Sequence, residues 1–316
     1  MLVVYDHQPE TSQRILYAQH GWADTNRAMV HLAHRLETAN TRIIVPNLGW
    51  WRTWLRLEPL VQDLEEIVTQ TRLQSSQLPI RIVAHSMGGL IWLEVLNRHP
   101  EWWAEVESLV LIGCPVGGAD ICRLIDPLAL GLGIARDLGK NRRSMAERIA
   151  AHIPTLTIAS DIDDGSDGLI MYGATQFHHA HTVVLPNIAH SDQRQAPAID
   201  QAIQAFWQSS LLPLSAPSNL AQALIQRLHE VPGMTDGHRR DFSKAQVWLV
   251  LDRGLSLYRW KNPLGVDHVF VASADGKCLY SGFVGWLHAP QLNRTLDQIK
   301  QESATSSRAA DSELLA

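Results

Sequence analysis

Cysteine is scarce in this chain. The 316 residues hold three, Cys114, Cys122 and Cys278. Their odd number and the lack of C-x-x-C spacing argue against a disulfide framework or a zinc site, and favour a reducing compartment. Charge of one sign is also lacking: the net charge is −5, and the Arg142-Arg143 pair is too small a basic patch to track phosphates. Nucleic acid is therefore not an expected partner. Long apolar runs are missing as well. The greasiest stretch, from Ile125 to Ala135, is short and broken by Asp126-Pro127, so it cannot cross a bilayer. The opening Met1-Leu2-Val3-Val4-Tyr5-Asp6 turns polar too soon for a secretory signal. These absences lead to the expectation of a cytoplasmic protein with no integral membrane segment. Its length exceeds one typical domain and can bury a sizeable core.

Strand-like and helix-like segments alternate through the first two-thirds, which implies βαβ units and a mainly parallel sheet. Val3–Tyr5 reads as an edge strand, Arg14–Gln19 and Arg42–Val45 as strands, and 28–37 and 58–72 as helices. The most informative stretch is Ile80-Arg81-Ile82-Val83-Ala84-His85-Ser86-Met87-Gly88-Gly89-Leu90-Ile91-Trp92-Leu93. A β-branched run leads into a serine between small residues, and a helix-compatible apolar run follows at once. A tight strand-to-helix turn of this kind exposes the serine Oγ above the sheet. It also requires small neighbours two positions away, met here by Ala84 and Gly88. The helix N-terminus behind Ser86 aims backbone N–H groups at negative charge forming beside it.

The stretch Ala84-His85-Ser86-Met87-Gly88-Gly89 resembles the nucleophile elbow of α/β-hydrolases, in particular the esterase and lipase branch, with Ala84 where the family pattern G-x-S-x-G has its first glycine. The resemblance covers about residues 1–210. It implies an α/β-hydrolase fold with a mainly parallel sheet and a small helical cap, and Ser86 as the nucleophile. It also implies an oxyanion hole made by the backbone N–H groups of Trp22, in the turn His20-Gly21-Trp22, and of Met87. In the family's order of serine, acid and histidine, His190 matches the base, in the loop between the Thr182–Leu185 strand and the helix at 196–208. The acid belongs in the loop after the Pro154–Ala159 strand, where Asp161, Asp163, Asp164 and Asp167 compete. Asp167-Gly168-Leu169-Ile170 is similar to the D-G-x-V sequence around the family's acid, so Asp167 is the first choice and Asp163 the second.

Between the Ser108–Gly113 strand and the strand at 154–159 lie about forty residues with helical spacing, and a cap over the site is expected at about 116–152, with a packed surface helix pair as the alternative. Trp50, Trp51 and Trp54 fall on a loop after a strand C-terminus, where open α/β sheets line their ligand crevices, and are expected to build an apolar substrate wall. No metal is expected. The alternate aspartates of 161–167 break the calcium-loop template, since Gly165 falls one place early and Tyr172 replaces the bidentate glutamate. His178, His179 and His181 lack a matching carboxylate cluster, and His31 and His34 fit a helix surface.

The domain plan is then 1–212 for the hydrolase part, 213–218 for a linker in Pro213-Leu214-Ser215-Ala216-Pro217-Ser218, and 219–302 for a smaller α+β part. That part should have a helix at 220–228, four strands, an Asp275-Gly276 hairpin and a helix at 291–301. A disordered tail at 303–316 completes the plan. The α+β part carries no motif of chemistry, and a protein partner or self-association is its expected use. The function implied is ester hydrolysis by a Ser-His-Asp triad through an acyl-enzyme, on a small-molecule or lipid ester with an apolar part, without a cofactor. A thioesterase, amidase or acyltransferase with the same triad is one alternative, and a non-catalytic binding protein of this fold is the other.

Overall fold

Seven strands form the sheet of the first unit in the order β1-β3-β2-β4-β5-β6-β7. They are β1 (Val3–His7), β2 (Arg14–Gln19), β3 (Thr41–Asn47), β4 (Ile80–His85), β5 (Val106–Ile112), β6 (Thr155–Asp161) and β7 (Ala180–Pro186). The computed structural model describes residues 3–75, 78–118, 133–163, 165–209 and 220–314, and the chain divides into two units, Met1–Leu214 and Ser215–Ala316. All strand pairs of this sheet are parallel except β1 with β3, which closes one edge antiparallel. β3, β4, β5 and β6 are buried at nearly every position, as strands covered by helices on both faces must be.

The helices supply the two covering layers. On one face, α1 (Arg27–Leu36) buries Met29, Leu32, Ala33 and Leu36, the i, i+3, i+4, i+7 stripe of an amphipathic helix. It shares an apolar cluster with α6 (Pro197–Gln208) through Ile199, Ile203 and Phe206. On the other face, α2 (Glu58–Gln74) and α3 (Met87–Arg98) bury Leu60, Leu64, Leu90 and Trp92. Strand order reverses direction at β2, which lies between β3 and β4. The carboxyl ends of β2 and β4 therefore meet at the switch point where α/β sheets open their ligand crevice. Gln19 of β2 pairs with Ala84 of β4, so the turn after Gln19 and the turn holding Ser86 are neighbours.

The expected cap at 116–152 is narrower than its boundaries. Its first part, 119–132, lies outside the described residues. The helix α5 (Arg143–Ala150) belongs to the covering layer, because Ala146, Ile149 and Ala150 enter the same apolar cluster as α3. Arg142, just before it, donates to Glu94 on α3 at 2.7 Å. The spacing of its apolar residues is that of any one-sided helix, so sequence could not say which surface it covers. The short α4 (Ile134–Leu138) is tied to the loop before α2: Asp137 accepts from the Leu57 N–H at 3.0 Å and from Arg56 at 2.9 Å.

The second unit is a five-stranded antiparallel sheet, in the order β8-β12-β11-β10-β9. Its strands are β8 (Thr235–Asp236), β9 (Gln246–Val250), β10 (Ser256–Lys261), β11 (Asp267–Ala272) and β12 (Cys278–Val284). Consecutive hairpins join β9 to β12. The helices α7 (Leu220–His229) and α8 (Ala289–Leu314) enclose one core with this sheet, in which Leu224, Ile225 and Leu228 pack with Leu257, Val269, Leu292 and Leu296. The two-residue β8 was too short to carry a periodic signal. The tail expected to be disordered from Ser303 is instead a continuation of α8 to Leu314, over residues that contain neither proline nor glycine. The expected linker at 213–218 lies outside the described residues. Among the described residues, no helix is long and apolar enough to cross a membrane.

Candidate active site

Ser86 occupies the single residue between β4 and α3, at φ 55° and ψ −127°. This backbone region costs a residue with a Cβ about 1–3 kcal/mol and persists only where surrounding structure enforces it. Here the enforcement is visible. The Ser86 N–H donates to the Ile112 carbonyl of β5 at 2.8 Å, and its own carbonyl receives the Gly89 N–H at 3.0 Å. A Cβ on Gly88 would lie 2.6 Å from the His20 carbonyl, and one on Gly21 would lie 2.9 Å from Ser86 Cβ and 3.3 Å from the Met87 nitrogen. Two backbones thus pass at a distance that only glycine allows. The turn at 21–22 consequently lies against the first amide of α3, whose N–H has no carbonyl four residues earlier to receive it.

The β7–α6 loop brings His190 to this turn. His190 Nε2 is 3.0 Å from Ser86 Oγ, and His190 Nδ1 is 2.6 Å from Asp167 Oδ2. The carboxylate can only accept, so Nδ1 carries the proton and Nε2 accepts from the serine hydroxyl. Asp167 is 2% exposed. Its other oxygen accepts the backbone N–H groups of Leu169 at 3.0 Å and Ile170 at 2.7 Å. The His190 N–H donates to the Asp167 carbonyl at 2.9 Å, joining the two loops by backbone as well. Asp163, the second candidate, accepts from Ser166 Oγ at 2.6 Å, within its own loop. Asp161 likewise caps the turn, accepting from the N–H groups of Asp163 and Gly165. Among the described residues, no group of three or more histidines, cysteines or carboxylates could hold a metal ion.

The four tryptophans form a chain of ring contacts away from the elbow. Trp22 meets Trp54 edge-on at 4.4 Å, Trp54 lies 5.5 Å from Trp50, and Trp50 meets Trp51 at 4.5 Å. Thr53 locks this loop to the β2 turn, accepting the Ala23 N–H at 3.0 Å and donating to the Trp50 carbonyl at 2.6 Å. Trp54 is therefore the one that adjoins Trp22. Trp51, at the far end, is 77% exposed, which makes it a surface side chain and not part of an enclosed wall.

Three residues escaped the sequence reading. His20 is fully buried; its Nδ1–H donates to the Gly21 carbonyl at 3.0 Å and its Nε2 accepts the Leu48 N–H at 3.0 Å, tying the β2 turn to the end of β3. His85 donates from Nε2 to the His190 carbonyl at 3.0 Å, and their rings lie 4.7 Å apart. Gly113, at φ 55° just after β5, leaves the space the histidine loop fills: an added Cβ would collide with Gln193 Oε1 and sit 3.1 Å from the His190 ring. A glycine at a strand end was the available signal for the last; for the histidines there was none.

Burial keeps both of these histidines neutral. It lowers the pKa of His20, with Arg194 adding to the effect and the Gly21 bond and Asp24 opposing it. It lowers that of His85 well below the ordinary value, helped by the charges of His190 and Arg194. In the unfolded chain the same side chains take up protons near pH 6.5. Stability from them is complete above that pH and falls as the pH drops through the lower folded values, because there the unfolded state binds more protons. The melting temperature is expected to decline between about pH 6.5 and pH 5, ahead of the carboxylates, and a His85→Gln variant should show a shallower decline. An unchanged slope in that variant would refute the assignment.

A family model described as serine aminopeptidase, S33, matches residues 10–163. It includes Trp22, Ser86 and Met87 and stops before Asp167 and His190. No curated protein matches. Among solved structures, the lipase BlEst2 of Bacillus licheniformis in mature form is 13% identical, covers 65% of this chain and 96% of its own, and superposes with a TM-score of 0.50. An esterase of Exiguobacterium antarcticum, at 15% identity, covers 66% and 96% with a TM-score of 0.49. A bromoperoxidase of Bacillus anthracis, at 14%, covers 66% and 96% with a TM-score of 0.49. The sheet order, the turn at Ser86 and the family match over residues 10–163 together give the first unit an α/β-hydrolase fold.

Proposed function

We propose that the protein hydrolyses carboxylic esters with an apolar acyl or alcohol part, through an acyl-enzyme on Ser86. The observation that carries this reading is the unbroken contact chain from Ser86 Oγ to His190 Nε2 at 3.0 Å and from His190 Nδ1 to Asp167 at 2.6 Å. His190 takes the hydroxyl proton as Ser86 Oγ attacks the ester carbonyl, and Asp167 stabilises the imidazolium that results. The tetrahedral oxyanion lies on the backbone N–H groups of Trp22 and Met87; removing one such donor typically costs about 10²–10³ in rate. His190 then gives its proton to the leaving alkoxide. In the second half, His190 activates a water, which attacks the acyl carbonyl and frees Ser86. Trp54, in contact with the Trp22 ring, and Trp50 beyond it line the approach for the apolar part of the substrate.

The matched family is named for an aminopeptidase, and an amide bond could pass through the same steps. The full chain should be assayed with p-nitrophenyl esters of rising acyl length beside an amino-acid p-nitroanilide, together with labelling by a fluorophosphonate probe. Turnover of the esters and labelling at Ser86 are expected. Anilide cleavage without ester cleavage would replace the proposed substrate, and no labelling at all would leave a binding protein.

A further inference from the structure

We infer that Gln193 is a positioning residue for the acid–base pair, holding the Asp167 carboxylate in place and moderating its basicity toward His190; this rests on the hydrolase reading only for its effect on turnover. Gln193 follows His190 by three positions and sits on the single 3₁₀ turn Asp192–Arg194 that closes the histidine loop. It is fully buried. Its side-chain amide donates to Asp167 Oδ2 at 2.9 Å and also to Ser160 Oγ at the end of β6.

Oδ2 is the oxygen that receives His190 Nδ1. Asp167 thus accepts four hydrogen bonds: two backbone N–H groups fix Oδ1, while His190 and Gln193 share Oδ2. A donor on a carboxylate favours its charged form and draws off electron density. Removing the Gln193 donor leaves Oδ2 to His190 alone. The carboxylate then becomes a stronger base and holds the imidazolium more tightly. It also loses the contact that sets its orientation, and small misplacements of reacting groups are costly in rate. The glycine at 113 fits this picture, since a Cβ there would strike the Gln193 amide. The other titratable or charged groups around the pair are His85, whose ring lies 4.7 Å from that of His190, and the Arg194–Asp24 ion pair. The Gln193 side chain also hydrogen-bonds His85 and opposes the lowering of its pKa, so an apolar residue at 193 leaves His85 neutral.

The test uses the full chain with Gln193→Met, which keeps volume and removes the donor, and Gln193→Leu, which removes it with a shorter apolar side chain. Melting curves establish that each variant is folded, and either folded variant alone decides the matter. The midpoint of the histidine-ring signal followed by NMR should lie at higher pH in both variants than in the wild-type protein, because the carboxylate left to one donor holds the imidazolium more tightly. The acid limb of kcat/KM should move with it, and kcat should fall about tenfold with KM little changed. A folded variant with the wild-type midpoint and kcat overturns the inference. A wild-type protein that cleaves no ester ends the proposed function instead, and the NMR midpoint still decides the role of Gln193.

Discussion

Ser86→Ala is expected to lower ester turnover by about 10⁵–10⁶-fold, because the hydroxyl forms the covalent bond and no neighbouring group can take its place. Folding should be unaffected: alanine adopts the same φ 55° conformation at the same cost and removes only one hydrogen bond, that between Oγ and His190. Ser86→Gly sharpens the test. Glycine tolerates φ 55° and ψ −127° without the Cβ penalty, but it is more flexible in the unfolded chain, so the net gain is about 1 kcal/mol. For a unit of this size that is a rise in melting temperature of about 2–4 °C. An inactive glycine variant that melts higher than wild type is the signature of a residue strained for function. Turnover of p-nitrophenyl butyrate by Ser86→Ala at the wild-type rate would end the assignment.

The second large effect is a contrast between two aspartates of one loop, Asp163 and Asp167. Asp167→Asn should reduce turnover by about 10⁴-fold with the fold intact. The amide can present N–H to His190 Nδ1, favouring the tautomer in which Nε2 carries the proton and cannot accept from Ser86. Asp163→Asn should stay near wild type, since Asp163 bonds Ser166 Oγ and stabilises a local turn. Measuring both with one ester substrate separates an effect on the histidine from a general weakening of the loop. A loss confined to Asp163→Asn would transfer the acid's role to that residue.

The strands of the first sheet could be anticipated because each announces itself locally, by a short β-branched run and a turn. The edge strand at Val3–His7, the elbow at Ser86 and the meander of the second unit belong to this class. Where one local pattern fits two placements, only packing separates them. The helix Arg143–Ala150 has the same one-sided pattern whether it caps a site or covers a sheet, and it covers the sheet. Trp51 has the same chemistry as Trp54, and only the anchoring of the loop by Thr53 decides that Trp54 meets Trp22 while Trp51 faces solvent. The extension of the last helix to Leu314 was missed because small polar residues weaken the apolar periodicity without breaking a helix.

By itself the sequence determined the sheet-and-helix alternation, the strained turn at Ser86 and the loops from which a histidine and an acid would come, since periodicity and turn chemistry act over a few neighbouring residues. Tertiary structure alone decided that His85 and Gln193 brace the meeting of His190 with Asp167, and how little room Gly113 leaves. Those pairings join residues 23 to 105 positions apart, or the loops of different strands. They exist only because parallel strands bring their carboxyl ends to one edge of a common sheet, where side chains distant in sequence share a buried space that must be filled and hydrogen-bonded together.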